Sequence, residues 1–97
     1  LIADDKATIR NLVRDYLEAE DFRVVVASNG REALYAARAE KPDLILLSIE
    51  LPRMNGFSVC NKLKRDPALK DIPLIIMSSV DFGRWKFVMI ASTALKE

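Results

Sequence analysis

The sequence predicts one α/β domain, residues 1–97, built on an open and mostly parallel sheet. Short apolar runs alternate with segments of helical period, and this alternation favours right-handed βαβ units. Two of the runs are continuously apolar, as in central parallel strands that are buried on both faces. The length of 97 residues suits a single small domain.

The first half of the chain contains two predicted strands and two predicted helices. Residues 1–3 resemble the end of a buried strand, and residues 23–27 are rich in β-branched side chains. A helix is predicted over residues 7–20, where five apolar side chains share one helical face: Ile9, Leu12, Val13, Tyr16 and Leu17. A second helix, 31–40, follows the Asn29-Gly30 break, with Ala33, Leu34, Ala37 and Tyr35 facing inward.

The second half contains the two continuous apolar runs, residues 44–47 and 74–77, each predicted as a buried strand. Between them a helix is predicted over residues 57–64, with Cys60 on its apolar side. For residues 85–95 the pattern favours a helix. A short strand at Phe87–Ile90 is the alternative.

The composition excludes several classes of function. Lys+Arg total 15 and Asp+Glu total 14, so no broad field of one sign attracts nucleic acid or a membrane surface. The absence of histidine excludes histidine-based triads and histidine metal clusters within the chain. The single cysteine allows no internal disulfide. Without an apolar run of membrane-spanning length or a signal peptide, a cytoplasmic location is expected.

Polar side chains follow three of the predicted strands. Asp4-Asp5 follows the first, Ser48 the third and Ser78-Ser79 the fourth. In parallel sheets the carboxyl ends of the strands meet at one edge, where ligands bind. Adjacent carboxylates repel unless a cation offsets them, and Mg²⁺ prefers oxygen ligands. The alternative for Asp4-Asp5 is a helix cap followed by an acid in the first turn.

Four stretches resemble the receiver domains of bacterial two-component response regulators over about residues 1–79. They are Leu1-Ile-Ala-Asp-Asp5, Pro42-Asp-Leu-Ile-Leu-Leu-Ser48, Leu51-Pro-Arg-Met-Asn-Gly-Phe57 and Ile72-Pro-Leu-Ile-Ile-Met-Ser-Ser79. The loop from Leu51-Pro52 to Asn55-Gly56 is the most specific of them. The resemblance implies a flavodoxin-like, doubly wound, three-layer α/β/α fold with strand order 2-1-3-4-5.

The resemblance also implies a site. Receiver domains take a phosphoryl group from a histidine kinase onto an aspartate at the end of the third strand. Mg²⁺ lies between that aspartate, an acidic pair and a backbone carbonyl. Here Asp4 and Asp5 match the acidic pair, and the carbonyl belongs to Glu50. Ser78 matches the hydroxyl residue that holds the phosphoryl group.

The position of the phosphorylated aspartate is Ser48, which departs from the family. A serine hydroxyl is a weak nucleophile near neutral pH unless a base activates it. We therefore expect a pseudo-receiver that is not an enzyme, requires no cofactor and binds Mg²⁺ weakly. Its partners would be proteins of a bacterial signalling pathway, with no membrane and no nucleic acid. The alternatives are a Mg²⁺-dependent phospho-accepting receiver in which Ser48 is an engineered replacement, and a dimerisation unit.

The end of the chain also departs from the family pattern. Receiver domains carry a lysine followed by proline after a fifth strand, whereas Lys96 is followed by Glu97. No role is transferred to Lys96, and the domain is expected to be incomplete or atypical after about residue 80. The fourth strand would then be a sheet edge, which invites pairing with another chain and a homodimer.

Overall fold

The computed structural model describes residues 1–79 and 85–90 as a five-stranded sheet with helices on both faces. The sheet order is β2-β1-β3-β4-β5, and β1 to β4 are parallel, as predicted. The strands are β1 (Ile2–Ala3), β2 (Val26–Ala27), β3 (Ile45–Ser48), β4 (Leu74–Ser79) and β5 (Trp85–Ile90). The helices are α1 (Ala7–Ala19), α2 (Gly30–Glu40) and α3 (Gly56–Arg65).

The segment after β4 forms a strand, which agrees with the alternative of a strand at residues 87–90 and not with the favoured helix. β5 pairs with β4 in the antiparallel direction, from Leu74↔Ile90 to Ser79↔Trp85. The predicted helix is therefore wrong over residues 85–90, and β4 is not a sheet edge. The physical reason is the open row of β4 backbone groups, which a segment rich in aromatic and β-branched residues can pair. Residues 91–97, including Lys96, lie outside the described residues.

The sheet buries apolar side chains on both faces because successive strand residues point to opposite sides. On one face α2 and α3 cover a large cluster that includes Ala3, Leu47 and Ile76. On the other face Ile2, Leu46 and Met77 are buried, with Val13 and Leu17 of α1 packed against them. Cys60 is buried, as predicted.

Helix α1 packs less deeply than its sequence pattern predicts. None of its residues is buried, and Leu12 and Tyr16 are each 65% exposed. The predicted inward orientation of Tyr35 in α2 is also wrong, because this side chain is exposed. An apolar stripe predicts which side of a helix faces the core, but the extent of burial depends on what lies opposite each turn.

A side-chain cap begins α3 immediately after the loop that follows β3. The Asn55 side-chain oxygen accepts a hydrogen bond from the Ser58 amide at 2.9 Å. We expect Asn55→Ala to lower the free energy of unfolding by about 1 kcal/mol, because one helix amide loses its partner. Urea unfolding measures the change, and Asn55→Asp, which keeps an acceptor, should restore most of the loss. Equal losses in both variants would contradict the capping role.

Candidate functional site

Asp4 and Ser48 lie side by side at the carboxyl ends of two neighbouring strands. The β1–β3 register pairs Ala3 with Leu47, so the next residues, Asp4 and Ser48, are adjacent across the sheet. Asp4 is two residues beyond Ile2, and Ser48 is two beyond Leu46. Both side chains therefore project to the sheet face on which α1 lies. The predicted meeting of these strand ends is confirmed for this pair.

Both side chains are completely buried, and each has an oxygen without a hydrogen-bond partner. Asp4 and Ser48 are the two buried polar side chains among the described residues. Asp4 Oδ1 accepts a hydrogen bond from the Lys6 amide at 2.8 Å. Within the described part of the chain, Asp4 Oδ2 and Ser48 Oγ have no partner. Two such atoms at neighbouring strand ends mark a candidate polar site, since buried polar groups are ordinarily paired.

Burial raises the pKa of Asp4 above its ordinary value, because removal from water disfavours the charged carboxylate. The hydrogen bond from the Lys6 amide and the nearby Lys6 charge act in the opposite direction, and the negative charge of Asp5 adds to the rise. Desolvation is the largest of these effects. The site therefore contains a carboxyl group whose ionised form would be stabilised by a nearby cation.

The rest of the acidic pair lies at the surface. Asp5 is exposed, and its carboxylate is 3.8 Å from Lys6 Nζ. Arg10 of α1 donates a hydrogen bond to the Asp4 backbone carbonyl at 2.7 Å and so fixes the turn that carries both acids. Arg10 was not predicted from the sequence as part of the site. The sequence signal that could have indicated Arg10 is its position four residues after Lys6, the residue that follows the acidic pair.

The loop after β3 is held by backbone hydrogen bonds. The Ile49 amide donates to the Met77 carbonyl at 3.0 Å, and the Ile49 carbonyl accepts from the Gly56 amide at 2.8 Å. Between them Arg53 has a positive φ of 70°. Glu50, expected to offer its carbonyl to Mg²⁺, is exposed at the start of this loop. The loop thus has a defined path beside Ser48.

Gly56 is where the loop returns to the end of β3. A Cβ atom placed on Gly56 would clash with the Ser48 carbonyl oxygen and lie 2.8 Å from Ile49 Cα. Both neighbours are backbone atoms, which cannot move aside by rotating a side chain. Close backbone approach therefore explains the glycine in this family-like loop.

The described side chains contain no cluster of three or more His, Cys, Asp or Glu residues able to hold a metal ion. The expected ligand at Glu50, by contrast, is a backbone carbonyl. A cation at this site could bind the unpartnered Asp4 Oδ2, next to the neutral Ser48 hydroxyl and close in sequence to Asp5. These donors are all oxygen, which fits a hard cation such as Mg²⁺.

Ser78 is a β4 residue one position beyond Met77, which pairs with Ser48 across the sheet. Its backbone is therefore at the same end of the sheet as Asp4 and Ser48. The side chain of Ser78 is outside the described part of the structure, so its predicted contact with a phosphoryl group stays a prediction.

No helix in the described ranges combines the length and the apolar character needed to cross a membrane.

Comparison with known proteins decides the family. A family model described as the response regulator receiver domain matches residues 1–86. The chain belongs to the response regulator receiver domain family. Receiver domains of this family act in two-component signalling, and the parallel 2-1-3-4 sheet agrees with that membership.

Individual relatives and structures agree with the family match. The receiver is 40% identical over 81 residues to the response regulator PleD of Caulobacter vibrioides, covering 84% of this chain and 18% of PleD. The N-terminal domain of a response regulator receiver protein from Methanoculleus marisnigri superposes with a TM-score of 0.78 at 34% identity. That match covers 81% of this chain and 64% of the other. This chain therefore spans only a small part of the length of PleD.

A third match bears on the site. The response regulator TrrA of Thermotoga maritima, in complex with Mg²⁺-BeF, is 30% identical with a TM-score of 0.75. The match covers 86% of this chain and 70% of the TrrA chain.

Proposed function

We propose that this receiver is a signalling module that acts by binding protein partners and does not accept a phosphoryl group. The observation that carries the proposal is the environment of Ser48. Its hydroxyl is fully buried and has no hydrogen-bond partner in the described structure, so no carboxylate accepts its proton. A serine nucleophile needs such a base near neutral pH. The neighbouring Asp4 therefore does not activate Ser48.

The acyl phosphate chemistry of receivers depends on a carboxylate at this position. One carboxylate oxygen forms a bond to phosphorus, and the bond from phosphorus to the donor breaks, so that the donor leaves with the electron pair. Serine would have to lose its proton first and would form a phosphate ester. The buried hydroxyl can instead serve as a polar filler of the position that an aspartate occupies in phospho-accepting receivers.

Mg²⁺ binding to the site is part of the proposal and is expected to be weak. Asp4 Oδ2, the Glu50 carbonyl and Asp5 would hold the ion, and Ser48 contributes no charge. A bound Mg²⁺ neutralises oxygen charge around a phosphoryl group. The structure of TrrA in complex with Mg²⁺-BeF supports a Mg²⁺ site in a related fold. Ser48 lowers the negative charge of the site by one, which weakens the attraction for the ion.

The partner is proposed to be a protein of a bacterial two-component pathway, and the location cytoplasmic. Family membership and the lack of a charged field of one sign support a protein rather than a nucleic acid partner. We expect the contact surface to lie around β4 and residues 80–95, of which residues 80–84 and 91–95 are outside the described residues.

The test is incubation of the chain with acetyl phosphate and Mg²⁺, followed by intact mass measurement. We expect the unsubstituted chain to keep its mass, whereas Ser48→Asp gains one phosphoryl group. Ser48→Ala is the matched control, because it removes the hydroxyl without adding an acceptor. A phosphoryl gain in the unsubstituted chain that is lost in Ser48→Ala would overturn the proposal and favour the phospho-accepting alternative.

A further inference from the structure

The outer surface of α2 and α3 carries exposed cations and an exposed aromatic ring. Arg31, Tyr35 and Arg38 of α2 are all exposed, and Tyr35 is 75% exposed. Their i, i+4, i+7 spacing places them along one side of the helix. This surface lies on the sheet face opposite α1. The charged residues of α3 are all cations, and they lie in its last turn: Lys62, Lys64 and Arg65.

Two contacts show which sides of α2 and α3 face each other. Near the carboxyl ends of the helices, Arg38 Nε is 3.7 Å from the carboxylate of Asp66, the residue that ends α3. Near their amino ends, a Cβ atom placed on Gly30 would lie 3.0 Å from Val59. Lys62 is three residues after Val59 and four before Asp66, so it lies on the same side of α3 as both. Arg38 and Lys62 therefore border the same groove between the two helices.

Arg31 continues this line of cations towards the amino end of α2. It is seven residues before Arg38, which places both on the side of α2 that faces α3. We call the space bordered by Arg31, Tyr35, Arg38 and Lys62 the α2–α3 groove. Within residues 1–79, Arg31 and Lys62 form no ion pair, and Asp66 is the acid that pairs with Arg38. The groove therefore has a surplus of positive charge.

The position of Arg31 is not explained by the stability of its own helix. Arg31 lies in the first turn of α2, where the helix dipole favours acids and disfavours cations. By contrast, the last turn of α3 is where the dipole favours cations, so Lys62 fits its helix without a further role. Arg31 is exposed, unpaired within residues 1–79 and unfavourable for its helix. These properties are typical of a residue kept for binding rather than for stability.

The chemistry of the groove favours a protein segment over a nucleic acid. The groove is about 16 Å long, the length of the 11 residues of α2. Glu32 follows Arg31 directly, and Asp66 lies at the far end beside Arg38. These acids would repel the evenly spaced phosphates of a nucleic acid, whereas a protein segment can place carboxylates only opposite the cations. Tyr35, between the two arginines, offers an exposed ring to an apolar side chain.

We propose that the α2–α3 groove binds an acidic segment of a protein partner. Carboxylates of the segment pair with Arg31 and Lys62, and an apolar side chain between them packs on the ring of Tyr35. Arginine and a carboxylate can form two parallel hydrogen bonds, which fixes the orientation of the segment. The inference rests on the proposed role as a protein-binding module, and it assigns that module a surface on the face opposite α1.

Two synthetic peptides test the proposal. One is acidic, Glu-Glu-Leu-Trp-Leu-Glu-Glu, and its control has glutamine in place of each glutamate. Each is titrated into the isotope-labelled chain at low salt, and the amide signals are followed by NMR. We expect the acidic peptide to shift the amides of residues 31–38 and 58–66. The glutamine peptide should bind at least about tenfold more weakly, because it lacks the carboxylates.

Substitutions separate a specific groove from attraction by net charge. Arg31→Glu should weaken binding of the acidic peptide by about tenfold or more, because an attraction becomes a repulsion. Tyr35→Ala should weaken it by about fivefold, because the apolar contact is lost. Arg14→Glu is the matched control. It changes the net charge as Arg31→Glu does, but on the opposite face of the sheet, and should weaken binding by less than about twofold.

Four outcomes would overturn the proposal. The first is no shift in α2 and α3 with the acidic peptide at millimolar concentration. The second is equal weakening by Arg31→Glu and Arg14→Glu, which would indicate net charge alone. The third is equally tight binding of a thymidine oligonucleotide, which would favour a nucleic acid. The fourth is shifts of the same amides as protein concentration rises without peptide, which would favour a second copy. All four are independent of Ser48, so a failure here is distinguishable from phosphorylation at Ser48.

Discussion

Gly56→Ala is expected to lower the free energy of unfolding by about 3 kcal/mol, a large loss for the addition of one methyl group. The new Cβ would overlap the Ser48 carbonyl oxygen and crowd Ile49 Cα at 2.8 Å. Neither atom can yield without moving the β3 backbone or the loop that follows it. The displacement would also strain the hydrogen bond from the Gly56 amide to the Ile49 carbonyl at 2.8 Å.

Urea unfolding monitored by circular dichroism measures this loss. The matched control is Asn61→Ala, on the exposed side of the same helix, which should change stability by no more than about 0.5 kcal/mol. If Gly56→Ala and Asn61→Ala had equal free energies of unfolding, the close approach of Gly56 to the β3 backbone would be contradicted.

Asp4→Asn is expected to stabilise the domain at neutral pH by about 1–2 kcal/mol. The side-chain oxygen of the new asparagine can keep the hydrogen bond from the Lys6 amide at 2.8 Å. The substitution also removes the cost of a buried negative charge. A functional carboxylate that is buried at a cost to stability is a common feature of binding sites.

The pH dependence of this effect follows from the raised pKa of Asp4. The pKa of this carboxyl in the unfolded chain is near the ordinary aspartate value of 3.8, and in the folded protein it is higher. Between these two values the folded state binds more protons, so the stability contribution of Asp4 falls as pH rises through this window. Above the pKa of Asp4 in the folded protein, the full destabilisation from burying the ionised carboxylate is present. The advantage of Asp4→Asn should therefore be largest near neutral pH and should shrink on acidification.

Urea unfolding from pH 7 downwards, in EDTA to remove divalent cations, measures this trend. Asp5→Asn is the matched control, because Asp5 is exposed and its substitution should have a small effect. An Asp4→Asn advantage that is independent of pH, or a loss of stability at neutral pH, would contradict a costly buried charge at Asp4.

The sequence predicted most of the fold because each parallel strand and each helix has a local signal. The continuous apolar runs at 44–47 and 74–77 coincide with β3 and β4, and the Asn55-Gly56 pair coincides with the start of α3. The meeting of Asp4 and Ser48 could also be predicted, because parallel strands place their carboxyl ends at one edge.

Other features depended on contacts that no local pattern contains. The pattern at residues 85–95 suited a helix, but residues 85–90 form a strand because β4 offers them an unpaired backbone row. Leu12 and Tyr16 share a helical face with residues that pack on the sheet, yet both are exposed. Strand formation and side-chain burial at these positions depend on which other segments pack against them in the folded domain.

By itself, the sequence determined the receiver fold in its parallel part and the replacement of the acceptor carboxylate by Ser48. The apolar periodicity of each segment and the residues at each strand end depend only on neighbouring residues in the sequence. Only the tertiary structure decided that Asp4 is the buried member of the acidic pair, that the Ser48 hydroxyl is unpartnered within the described residues and that β5 runs antiparallel. Burial and hydrogen-bond pairing are properties of the space between segments, so they exist only once those segments have packed together.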